Sequence, residues 1–169
     1  MQDRAAENRK YTVYGSMLAV IVILDVITKY VVEQSMNLYE PIPILGDFFR
    51  LTFIYNRGAA FGLSLGGHSR WLFLILTLIV LVVLLLWFRS TPAHDRLRLF
   101  SIAAVLGGAI GNLIDRVRHP LGVVDFFDFG IGNLRWPVFN IADIAVTVGA
   151  LLLALSLWKE EAEAGREAA

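Results

Sequence analysis

Four long apolar stretches, at about residues 14–32, 71–88, 97–116 and 140–158, constrain this chain more than any other feature. Each is long enough to cross a hydrocarbon core as a helix, which takes about 20 residues. The second, Trp71 to Phe88, is almost purely Leu, Ile and Val. The alternating pattern of a lipid-exposed barrel strand is absent, so helices are the expected spans. Composition agrees: 57% of the residues are hydrophobic and 18% charged, against about 25% charged in soluble domains. The mean hydropathy is +0.63. Folded in water, such a chain would leave large apolar surfaces uncovered.

The expected fold is an all-α membrane protein: one polytopic domain over residues 1–169, with four transmembrane helices and outer loops at about 33–70 and 117–139. The first stretch has a basic lead (Arg4, Arg9, Lys10) like a signal peptide, but it carries Asp25 and Lys29 and no A-x-A site follows, so it reads as an uncleaved helix. With the N-terminus inside, eight Lys and Arg fall on cytoplasmic segments and six on the outer loops. The compact basic connection from Arg89 to Arg98 carries most of that argument. Both termini are then cytoplasmic and the two long loops face outward.

Those loops are not featureless. Asp47 to Tyr55 is rich in aromatic and β-branched residues and reads as a strand or two, a small β-containing outer subdomain. Val117 to Phe139, with its glycines and prolines, reads as a long irregular loop, a kind more often functional than idle. The Glu/Ala-rich tail after Lys159 reads as a solvated helix end.

The residue types present argue against several chemistries. There is no cysteine, hence no disulfide, thiolate metal site or Cys nucleophile. His68, His94 and His119 lie far apart without metal-binding spacing, so no metal or cofactor is expected. The net charge is zero, and nothing points to nucleic acid. Gly62-Leu63-Ser64-Leu65-Gly66 matches the G-x-S-x-G pattern, but without the strand–turn–helix context that motif needs it reads as coincidence.

Polar residues inside a membrane helix are costly, so each one asks for a reason. Gly108, Asn112 and Asp115 are spaced i, i+4, i+7 on one face of the third span; Asn140, Asp143 and Thr147 are spaced i, i+3, i+7 on one face of the fourth. Val123-Val124-Asp125-Phe126 adds a carboxylate in an apolar setting. Two carboxylates brought together share one proton, because like charges a few ångströms apart cannot both ionise. One then serves as base on a water while the other, protonated, hydrogen-bonds a carbonyl.

Plainer roles compete for the same residues. Asn140 and Asp143 fit a helix cap, with Phe139 and Ile144 as a hydrophobic staple, a role compatible with catalysis. Asp115 beside Arg116 fits an ion pair at the helix end. Asp25 and Lys29, spaced i, i+4, fit a mutual pair. Asp128 reads as a solvated loop residue, and Asp125 as a turn-stabilising carboxylate if it has no chemistry to do. On pattern alone, no two carboxylates are singled out.

The blocks Asn56-Arg57-Gly58-Ala59-Ala60-Phe61, Gly107 to Arg116, Val123-Val124-Asp125-Phe126 and Phe139-Asn140-Ile141-Ala142-Asp143, with the Asp25-x-x-x-Lys29 element, resemble the lipoprotein signal peptidases, or signal peptidase II, in order and spacing. The resemblance covers the chain from about Asp25 to Gly149. It implies an intramembrane aspartic peptidase whose dyad is Asp125 and Asp143. Asn56, Gly58, Asn112, Arg116 and Asn140 would line or brace the substrate site, and Asp25, Lys29 and Asp115 would support the helix arrangement. It further implies a prolipoprotein substrate whose cysteine already carries diacylglycerol, cut just before that cysteine. The enzyme would work as a monomer among the lipids of the bacterial inner membrane, its site toward the outer side and the first outer loop over it as a small sheet. The alternative from another class is a small transporter using intramembrane carboxylates as a proton relay, which calls for acids spread across the membrane depth and, often, repeat symmetry. A third reading, a non-catalytic assembly or chaperone subunit, explains the helices but not two Asn/Asp faces.

Overall fold

The computed structural model describes residues 2–57 and 69–167. Gly58 and the Gly62 to Gly66 serine motif lie outside the described residues. The elements run α1 (Gln2–Ser35), β1 (Pro41–Leu45), β2 (Phe49–Asn56), α2 (Ser69–Ser90), α3 (Arg96–Arg118), β3 (Val123–Ile131), β4 (Leu134–Arg135) and α4 (Ile141–Glu167). All four helices are long and apolar enough to cross a membrane. The first begins well before residue 14, so the basic lead is itself helical.

The bundle is built around α3. Of its apolar window 61% is buried, against 17%, 11% and 17% for α1, α2 and α4. Its small residues make that possible: with little hydrophobic drive between helices in lipid, close backbone approach is what binds them. A Cβ added at Gly108 would collide with the carbonyl of Ala142 in α4. The other helices turn apolar side chains outward, such as Ile23, Ile79, Val83, Leu86 and Leu151, all exposed. Such surface suits lipid and not water.

The two ends of the bundle differ. At the end holding the termini, Leu84, Phe88, Leu99, Ile102 and Leu106 form a buried apolar cluster. Beside it the buried Lys10 donates from Nζ to the carbonyls of Thr91 at 2.7 Å and Arg89 at 3.2 Å, closing orphan carbonyls at the end of α2. At the opposite end sits a four-stranded antiparallel sheet in the order β1-β2-β3-β4. Val32, Phe53, Val124 and Phe126 seat it on α1.

The strand expected near Asp47–Tyr55 is present as β2, with β1 beside it. The stretch 117–139 is not irregular throughout. Val123 to Ile131 is a nine-residue strand, central in the sheet. Its run of Val and Phe is what a strand buried on both faces looks like, and the surrounding glycines and prolines obscured it. The segment after Lys159 continues α4 to Glu167, and its residues through Arg166 are exposed.

Candidate active site

Asp125 lies on β3 and Asp143 in the first turn of α4. Asn140 connects them. Its side-chain Nδ2 donates to Asp125 Oδ1 at 2.7 Å. Its backbone N–H donates to Asp143 Oδ2 at 3.2 Å, and its Oδ1 accepts the Asp143 N–H at 2.9 Å. The reciprocal pair is the capping box expected from the sequence. The cap therefore does two things at once: it starts α4 and fixes the carboxylate of Asp143 beside that of Asp125.

Both carboxylates have a second amide donor. Asn56, the last residue of β2, donates to Asp125 Oδ2 at 3.0 Å. Asn112 of α3 donates to Asp143 Oδ1 at 2.8 Å. Asn112 Oδ1 in turn accepts from Asn140 at 3.1 Å and from Lys29 Nζ at 3.0 Å. A cation on one side of an amide leaves it a single sensible orientation, so Lys29 fixes which end of Asn112 faces Asp143.

Behind these residues lies a buried ion triad. Lys29 pairs with Asp25 at 2.8 Å and with Asp115 at 3.0 Å. The Asp25–Lys29 pairing matches the i, i+4 expectation. The ion partner of Asp115 is a correction: its carboxylate meets Lys29 of α1, and its Oδ2 also accepts the backbone N–H of Val124 at 3.1 Å. Adjacent helix positions do not face each other, and that is why Asp115 turns away from Arg116. Asp25 Oδ1 accepts the Ala142 N–H at 2.9 Å, joining the first turn of α4 to α1. A side chain at Gly111 would strike the Asp25 carboxylate. Arg116 donates to the Asn112 carbonyl at 3.2 Å and lies within electrostatic reach of Asp143, Asp125 and Asp115.

Asp128 is the second correction. It is not a solvated loop residue but a buried one on β3, only 2% exposed. Its Oδ2 accepts from Arg50 Nη2 at 2.9 Å and from Thr52 Oγ1 at 2.7 Å, and its Oδ1 accepts from Arg135 Nε. Neither arginine was marked by any local pattern, since one lies 78 residues before Asp128 and the other 7 after. Nor does any local pattern mark Glu33, Tyr55 and His119, which also meet near the site.

Asp125 is 1% exposed while Asp143 and Asn56 are half-buried, so the pair lies at the edge of the buried network. Burial pushes the Asp125 carboxyl up, and the neighbouring Asp143 charge pushes it further, to about 7, against the hydrogen bonds from Asn56 and Asn140 and the Lys29 charge. Asp143 sits where the helix macrodipole favours negative charge. A carboxyl that keeps its proton near neutrality beside a carboxylate can give a proton to one atom while its neighbour takes one from another.

Comparison with known proteins gives this arrangement a family. A family described as signal peptidase (SPase) II matches residues 17–159. The lipoprotein signal peptidase of Halothermothrix orenii is 43% identical over 145 residues, covering 86% of this chain and 94% of that protein. That of Alteromonas mediterranea is 42% identical over 143 residues, covering 83% and 78%. Among solved structures, a bacterial membrane enzyme superposes with a TM-score of 0.80 at 32% identity, covering 89% of this chain and 90% of that one. The chain belongs to the signal peptidase II family and is a protease of the membrane.

Proposed function

We propose that the chain is an aspartic endopeptidase that removes signal peptides from bacterial prolipoproteins, with Asp125 and Asp143 as its dyad. The observation that carries this reading is the Asn140 bridge between the two carboxylates, one buried and holding its proton to about 7. Asp143 takes a proton from a water as the water oxygen bonds to the scissile carbonyl carbon. Asp125 gives its proton to the carbonyl oxygen. When the C–N bond breaks, the proton on Asp143 passes to the departing nitrogen and Asp125 recovers its own from the tetrahedral intermediate. Atoms and protons balance, and the pair ends as it began. Asn56, Asn112 and Asn140 hold the two carboxylates in register, and the Lys29 triad holds Asn112.

The substrate is a diacylglyceryl-modified prolipoprotein, cut just before the lipidated cysteine. A site at the margin of the helices suits a substrate that is itself a membrane helix with lipid chains. The membrane is the bacterial cytoplasmic one, with sheet and dyad outward. The orientation rests on Lys10, Arg89 and Arg98, which gather at the opposite end. The transporter reading is disfavoured by the gathering of Asp25, Asp115, Asp125 and Asp143 in one connected network.

Cleavage of a lipid-modified prolipoprotein by purified protein tests the proposal. Asp125→Asn and Asp143→Asn, still folded, are expected to lose at least about 10³-fold in kcat, on the scale of removing a member of a catalytic unit. Ser64→Ala is expected to keep its activity. Cleavage by either folded Asn variant at wild-type rate removes the dyad.

A further inference from the structure

Away from the carboxylates, three side chains from three elements meet at the sheet end of the bundle. Tyr55 of β2 donates its hydroxyl to Glu33 Oε1 in the last turn of α1 at 3.0 Å. His119, which caps α3, brings Nε2 to 3.2 Å from the same oxygen. The Tyr55 and His119 rings lie 5.7 Å apart. The group is mostly enclosed, with Glu33 at 12% and His119 at 21% side-chain exposure. Asp115 and Arg118 are the other charged groups that act on Tyr55. Burial first, and then the Glu33 contact, push the Tyr55 hydroxyl up to about 12, so it stays a donor throughout the working pH range. The peptidase mechanism above uses none of these three residues.

Tyr55 immediately precedes Asn56, and successive strand residues point to opposite faces. Tyr55 pairs with Val124, whose N–H is held by Asp115, while Asn56 pairs with Val123 and is the diagonal neighbour of Asp125. Asn56 is also the last residue of β2, where a strand would otherwise fray. It is gripped on its backbone as well. Gly122, at φ +119°, comes so close to the Asn56 carbonyl that a Cβ there would overlap it. We propose that Tyr55, Glu33 and His119 form a clasp that ties the end of β2 to α1 and α3 and so positions the Asn56 amide on Asp125. They are positioning residues, and their role in the reaction rests on the dyad reading above.

The test uses the full chain in bicelles with ¹³C-labelled aspartate, the Asp125 signal being assigned by its loss in Asp125→Asn. Because the Asn56 hydrogen bond lowers the Asp125 pKa, losing it moves the Asp125 titration upward. Tyr55→Phe is expected to move it in that direction, as Asn56→Ala does, and to lower kcat about tenfold with KM within about twofold of wild type. Combined with Asn56→Ala it should add nothing further. Gly122→Ala, which pushes the same carbonyl while leaving the Tyr55 and Glu33 side chains in place, should move the titration the same way. A Tyr55→Phe protein whose Asp125 titrates as in wild type, or whose loss adds in full to that of Asn56→Ala, overturns the proposal whatever its thermal stability. If Asp125→Asn still cleaves while Tyr55→Phe moves the titration, the clasp stands and the dyad falls.

Discussion

Asp125 and Asp128 sit three positions apart on one strand, at 1% and 2% exposure, and their surroundings drive them in opposite directions. Asp125 receives amide hydrogen bonds from Asn56 and Asn140 and faces another carboxylate, and its carboxyl rises to about 7. Around Asp128 burial also acts to raise the carboxyl, but Thr52, Arg135 and Arg50 outweigh it and hold the group below the ordinary range. Burial is common to both; the charge of the partners separates them. Amides orient a carboxylate without neutralising it, leaving its proton free to move. Guanidiniums fix the charge and turn the carboxylate into a tie, here between β2, β3 and β4.

Replacing each carboxyl in turn by an amide should break this comparison most visibly. Asp128→Asn is expected to cleave within about threefold of wild type while Asp125→Asn loses at least about 10³-fold. Stability should follow the reverse order. Asp128→Asn leaves two partly exposed arginines facing a neutral amide, a loss of about 2 kcal/mol once solvent screening is allowed for, or about 5 °C in Tm for a chain of this size. If Asp128→Asn is as inactive as Asp125→Asn at full stability, the two carboxylates are not divided as described.

The pH dependence should divide along the same line. Above about 7 the Asp125 proton leaves, and kcat/KM is expected to fall about tenfold per pH unit. For stability the signs are opposite. A raised carboxyl binds in the native state a proton that the unfolded chain releases near the ordinary value, so the Asp125 contribution is full below that value and is lost as pH rises through about 7. A depressed carboxyl contributes above the ordinary value, and the Asp128 contribution is lost as pH falls through its native pKa. Thermal melts from acid to mildly alkaline pH, read beside the cleavage profile, check both arms. A cleavage rate flat across neutrality would contradict the Asp125 assignment.

How far the sequence revealed these sites depends on the reach of each contact. The Asn140–Asp143 cap and the Asp25–Lys29 pair span three and four residues, and helical periodicity exposes both. The four spans are legible for the same reason, because lipid imposes its length on a contiguous run. Lys29 to Asn112 crosses 83 residues and Arg50 to Asp128 crosses 78, and no local pattern announces either. Asp128 thus looked like a loop carboxylate among glycines, and β3 like part of an irregular loop. Five acids, Asp25, Asp115, Asp125, Asp128 and Asp143, stand level on residue type alone; the order and spacing of the family's blocks point to Asp125 and Asp143, where local chemistry does not.

The smallest expected effect is also the most specific. Thr52→Val keeps the shape and β-propensity of the side chain but removes the 2.7 Å hydroxyl bond to Asp128 Oδ2. A net loss of about 1 kcal/mol follows at neutral pH, where Asp128 is charged. Because that bond favours the charged form, losing it raises the Asp128 carboxyl toward its ordinary value, so the stability lost on acidification should be smaller and complete at a higher pH than in wild type. The alkaline fall in kcat/KM belongs to Asp125 and should not move. A shift of both limbs together would mean that the two carboxylates are electrostatically one system and that β3 does not keep its tie and its proton carrier apart.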